Sequence, residues 1–197
     1  MIKKILMIVF CFLLSACSLF SPVNLQQTNQ YVLDKLPNSV HKSRHHTTIL
    51  IVPPTTRPVY NTKQMVYTDK QYQVKYYVKN QWAETPSQML QSLLVQSFQN
   101  THYFRSVVTL PYSGEYDYML NTNILDFQQD FTTAQPKVKI VVDVKLIRIN
   151  QVIASKYFSI TLPMVNATPY SGVIVSNQAM AILLNRILIF CFENLPR

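Results

Sequence analysis

The chain has 197 residues, and its 18 lysines and arginines against 9 aspartates and glutamates give a formal charge of +9. It contains only two glycines, Gly114 and Gly172, so a glycine-rich phosphate cradle and a G-x-S-x-G nucleophile elbow are both excluded. The length suits one domain of about 150 residues with a short lead-in.

Lys3 and Lys4 precede an unbroken apolar run from Ile5 to Leu14, the basic and apolar regions of a secretory signal. At about 1.5 Å per residue this run covers only about half of a roughly 30 Å hydrocarbon core, too little for a permanent span. Leu14-Ser15-Ala16-Cys17 resembles the bacterial lipobox, which implies acylation of the Cys17 thiol, cleavage before it and a mature chain that starts there. The competing reading is an ordinary signal peptide with a chance cysteine. Residues 1–16 are accordingly read as a signal peptide, 17–28 as a lipidated tether and 29–197 as a single domain. Each buried acyl methylene adds about 0.8 kcal/mol, so two or three chains make a firm anchor. Ser18 stands where inner-membrane lipoproteins of this type carry aspartate, which implies the periplasmic face of the outer membrane.

Without Lys3 and Lys4 the mature chain still carries +7, a charge that favours anionic headgroups or an acidic protein surface. Nucleic acid does not fit that compartment. Cys191 is the one free thiol left, so no intramolecular disulfide forms, and its apolar surroundings from Ile187 to Phe192 predict a small buried hydrophobe.

Along the domain, Gln30–Leu33 and Thr47–Val52 read as strands, the second continuously apolar and therefore central. Residues 53–64, with Pro53, Pro54 and Pro58, read as a connecting loop. Met65–Tyr67 and Tyr72–Lys79 read as a hairpin, with Tyr72, Val74, Tyr76 and Val78 on one face and Gln73, Lys75 and Lys79 on the other, as in a half-buried strand. Thr85-Pro86-Ser87-Gln88 is a capping-box start for a helix whose stripe is Met89, Leu90, Leu93, Leu94 and Phe98. Strands follow at Phe104–Leu110, Tyr118–Phe127, Val138–Leu146 and Val152–Thr161, the last two a long hairpin turning at Asn150-Gln151. After a loop at Pro163–Gly172, a helix from about Ser176 to Asn194 is apolar nearly all round and too short and interrupted to cross a bilayer. The expected fold is α+β: a mixed, largely antiparallel sheet with two helices packed on one face.

The stretch Tyr72-Gln73-Val74-Lys75-Tyr76-Tyr77, then Asn80–Glu84 with Trp82, Pro86, Met89-Leu90, Leu93-Leu94 and Tyr103–Val107 resembles the ABC-type transport auxiliary lipoproteins, the PqiC-like group. A weaker similarity is Val152–Phe158 followed by the C-terminal helix. The departures are the missing glycine at the 150–151 turn and the missing tryptophan near Phe192. The resemblance implies an outer-membrane lipoprotein that assists an ABC-type, MCE-linked phospholipid transport system, docking on a periplasmic MCE-domain protein or completing its conduit. It implies no catalysis and no cofactor. The alternative is a structural or assembly lipoprotein of the envelope, pilotin-like or secretion-associated, with no part in lipid transport.

Other chemistries find little support. His41, His45 and His46 share a basic loop with Lys42 and Arg44 and lack a nearby carboxylate, so solvated loop residues are expected rather than a metal site. Asp126 and Asp130 are expected at the solvent side of a strand end rather than as an acid/base pair. Trp82 reads either as a core plug between strand and helix or as a lipid or partner contact, the plug being favoured. The apolar girth of the C-terminal helix needs cover from a second copy of the chain or from the loop at Pro163–Gly172.

Overall fold

The structure, a computed structural model, describes residues 27–38 and 45–195. Cys17, the signal region and His41 lie outside the described residues. Among the described residues nine strands form one sheet: β1 (Asn29–Tyr31), β2 (Thr48–Ile51), β3 (Thr55–Thr56), β4 (Gln64–Lys70), β5 (Gln73–Trp82), β6 (Ser106–Thr109), β7 (Tyr118–Asp130), β8 (Lys137–Arg148) and β9 (Gln151–Pro163). Helix α1 (Pro86–Asn100) follows β5, and α2 (Pro169–Asn194) follows β9. This is the α+β domain expected, with the long pairings antiparallel and the short ones parallel.

Strand β7 is the spine. One edge pairs antiparallel with β8 along its whole length, from Met119 opposite Ile147 to Asp130 opposite Lys137. The other edge takes three short parallel partners in succession: β2 at Tyr118–Leu120, β3 at Asn123–Ile124 and β4 at Gln129–Asp130. The sheet forks there, one limb continuing through β2 to β6 and the other through β4 and β5 to β1. A bulge at Leu125 explains the imperfect alternation of β7. Tyr118, Leu120, Thr122 and Ile124 point inward before it, and Phe127 and Gln129 after it.

Both helices start with the same device. Thr85 caps α1 by accepting from the Gln88 N–H while the Gln88 amide oxygen accepts from the Thr85 N–H, and Pro86 fills the first helical position. Thr168 caps α2 through the Ser171 N–H, again followed by proline. Four residues of the expected 163–172 loop, 169–172, are thus the first turn of α2. At 26 residues α2 is long and apolar enough to cross a membrane by length and composition, contrary to the expectation, yet most of it is buried against β8, β9 and α1. Leu90, Leu94 and Phe98 of α1 share one buried core with Leu183, Leu184 and Ile187 of α2 and with Ile49, Leu120, Ile140 and Leu146 of the sheet.

Cover for α2 comes partly from the segment that follows β1. Asn177 accepts from the N–H groups of Asp34 and Lys35 at 2.9 and 3.2 Å and donates to the Val32 carbonyl at 3.1 Å, pinning residues 32–35 against the helix. A narrow stripe with Ile174, Ile182 and Ile189 stays exposed.

Candidate interaction site

Trp82 ends β5 with its indole buried and stacked on Phe127 at 5.4 Å, so it is the plug that joins strand to helix cap. Cys191 is fully buried and free, and burial pushes its thiol far above the ordinary range, which leaves it without nucleophilic thiolate. His45 stacks on Tyr103 at 4.5 Å. Among the described residues no group of three or more His, Cys, Asp or Glu side chains is placed to hold a metal.

The two aspartates of β7 are ion-paired on the outer face of the sheet. Asp126 accepts from the Tyr60 phenol at 2.7 Å and meets Lys139 at 2.8 Å, while Asp130 faces Lys137 at 3.4 Å. Burial, aided by the Asp126 carboxylate, raises the Tyr60 phenol well above its ordinary pKa and keeps it a donor. Asp143 and Lys145 lie 3.7 Å apart on β8. These carboxylates balance Lys137, Lys139 and Lys145, and Asp126 ties the segment after β3 to the sheet.

Strand β5 departs from expectation. Its alternation is real, but the row Val74, Tyr76 and Val78 faces solvent, whereas Tyr77 turns inward. There it packs on Tyr67 at 4.5 Å and donates to the Gln129 amide oxygen at 2.9 Å. The inward row is chosen by these partners on β4 and β7, none of which is visible within β5.

Two hairpin tips project from opposite ends of β7. Beyond its C-terminal end stands the β4–β5 turn, where Tyr72 has φ 66° and is 95 % exposed. Beside its N-terminal end stands the β8–β9 turn, where Ile149 and Asn150 have φ 47° and 60°, and Ile149 is 84 % exposed. The expected 150–151 turn is shifted by one residue, to 149–150. A bulky side chain in left-handed conformation is costly, and most turns place glycine or asparagine there. Val152 and Ile153 are exposed beside Ile149. A groove of about 650 Å3 also runs along α2, between Lys35–Asn38 and the Ala181, Ile182 and Arg186 side chains.

The described residues thus form an α+β domain with two exposed hairpin tips and an open groove beside α2. Residues 31–188 match the family described as the ABC-type transport auxiliary lipoprotein component, and the chain belongs to that family. No curated protein matches the sequence. Among solved structures, it is similar to a Xanthomonas campestris protein assigned to the DUF330 family. The two share 17 % identity and a TM-score of 0.72, over 82 % of this chain and 92 % of that one. An uncharacterised protein is 20 % identical with a TM-score of 0.64, over 82 % and 96 % of the two chains. A hypothetical protein from Chlamydia trachomatis is 8 % identical with a TM-score of 0.52, over 76 % and 98 %. These similarities support the fold.

Proposed function

We propose that the chain is an outer-membrane lipoprotein, anchored through Cys17, that assists an ABC-type, MCE-linked lipid transport system by docking on its periplasmic MCE-domain protein. The family supplies the transport role. The carrying observation is the Ile149 tip: an aliphatic side chain in a costly backbone conformation, almost fully exposed, with Val152 and Ile153 exposed beside it. Strain kept at an exposed position is a signature of function, and a small apolar knob is the kind of anchor that fills a partner's pocket. Its place at the opposite end of β7 from the β4–β5 tip leaves the tip near the chain's entry free for the membrane.

A photo-crosslinking residue at Ile149 or Val152 of the full lipoprotein, irradiated in intact cells, tests this reading. Capture of the MCE-domain protein is expected. Capture of secretion-machinery components instead would transfer the chain to the assembly class.

A further inference from the structure

The β4–β5 hairpin is built for a different neighbour. Residues 63–79 hold four lysines and one aspartate, and Lys75 is engaged with that aspartate, Asp69, at 2.7 Å. Lys70 and Lys79 are exposed and form no ion pair among the described residues, in contrast to the aspartate-matched Lys137, Lys139 and Lys145 on β8. Along the hairpin between these two lysines runs an uncovered apolar row, on the face opposite that of Lys70. Val74 and Tyr76 are partly exposed, Val78 is 86 % exposed, and Tyr72 caps the tip. Aliphatic and tyrosine side chains flanked by unpaired lysines match the boundary between headgroups and acyl chains, where the apolar parts leave water while the ammonium groups stay at phosphate level.

Chain direction places this surface relative to the anchor. Strand β1 runs parallel to β5, with Asn29 opposite Asn80, so the chain enters β1 from the side of the hairpin tip. From Asn80 to Tyr72 the strand extends about 26 Å. The stretch from Cys17 to Asn29 spans at most about 40 Å. A lipid on Cys17 therefore tethers the domain within reach of its own bilayer, with the tip directed toward it.

We propose that the β4–β5 hairpin is a second membrane contact, in which Tyr72 and Val78 enter the headgroup layer of the bilayer holding Cys17 and Lys70 and Lys79 meet anionic lipid phosphates. The proposal rests on the anchoring reading. It makes the domain lie against the bilayer in one orientation instead of swinging on its tether, and it leaves the Ile149 end facing away.

The test uses the full lipidated chain in vesicles of phosphatidylethanolamine and phosphatidylglycerol, with an environment-sensitive fluorophore on Tyr72→Cys or Val78→Cys and a control on Ser113→Cys. Cys191 is buried and an acylated Cys17 is blocked, so only the introduced thiol reacts. Labels at 72 and 78 should shift to the blue and be quenched by bromine-bearing lipid, while the label at 113 stays aqueous. Exchange for phosphatidylcholine, or Lys70→Glu with Lys79→Glu, should lower the contact equilibrium roughly tenfold or more. Unchanged Trp82 emission in these variants verifies the fold. Labels at 72 and 78 as aqueous as that at 113, on protein whose mass shows acyl chains at Cys17, would overturn the hairpin contact alone. A missing acyl mass, with Cys17 labelled as well, would overturn the anchor. A shift that follows protein density and ignores lipid charge would assign the surface to a second copy of the chain and equally overturn the proposal.

Discussion

Gln129 and Gly172 occupy a single niche: the amide of Gln129 lies where a β-carbon on Gly172 would stand. The amide donates to the Pro169 carbonyl at 3.2 Å and accepts from the Tyr77 hydroxyl at 2.9 Å, so it joins β5, β7 and the first turn of α2. Gly172→Ala should therefore destabilise the domain despite its better helix propensity. Displacing the amide breaks both bonds in a buried place, and a loss of about 1–3 kcal/mol is expected in urea unfolding. Stability unchanged or raised by alanine would refute this packing.

The α1 stripe gives a second measurement. Leu94 is fully buried in the core that α1 shares with the sheet and α2, and Leu94→Ala should cost about 2–5 kcal/mol, with Trp82 serving as the sole tryptophan reporter of unfolding. A cost under about 1 kcal/mol would mean that the wrong face of α1 has been placed inside.

Acid should act partly through Asp130. Burial raises its pKa, but the Thr132 hydroxyl and N–H, donating at 2.6 and 2.8 Å, together with Lys137, outweigh that effect and hold it below its ordinary value. A carboxylate with a depressed folded pKa stabilises above its unfolded pKa of about 3.9 and loses that contribution as pH falls through the folded value. Melting temperatures between pH 7 and pH 3 should fall less steeply for Asp130→Asn than for the natural chain; parallel profiles would remove Asp130 from the acid response.

Ile149→Asn separates stability from docking. Asparagine tolerates the left-handed conformation that isoleucine resists, so the variant should gain about 1 kcal/mol in unfolding. It should also lose most of the partner crosslink formed from Val152. A stabilised variant that crosslinks as before would show that the strain serves no docking role.

Cys17→Ala should leave the protein unacylated with its signal uncut. Mass analysis should find acyl chains on the natural chain only, and an unmodified Cys17 in the native envelope protein contradicts the anchor.

The legible parts of the fold were those written in local chemistry. The capping box at Thr85–Gln88 marked α1, and the alternation from Val138 to Leu146 marked β8. The same threonine-proline signal at Thr168-Pro169 was available, but the polar and small residues after Pro163 hid it, and α2 was expected to start late. In β5 periodicity revealed two rows without revealing which was inside, because that choice belongs to Tyr67 and Gln129, distant in sequence. Both hairpins were legible, but the conformations at their tips were not: only the backbone shows that Tyr72 and Ile149 are held in left-handed conformations where neither residue is at ease.

The placing of β7 late in the chain carries a consequence for the order of events in folding. Leu50 pairs with Met119 and Tyr67 with Gln129, so β2, β3 and the second edge of β4 wait for a strand that follows them by tens of residues. Such long-range parallel pairings are slow to form and leave apolar strands uncovered meanwhile. A chain threaded N-terminus first cannot assemble its early half alone: Ile49–Ile51 emerge long before their partners on β6 and β7. The domain should depend on a holding chaperone until Asp130 has cleared the exit, and fragments ending before β7 should aggregate rather than fold.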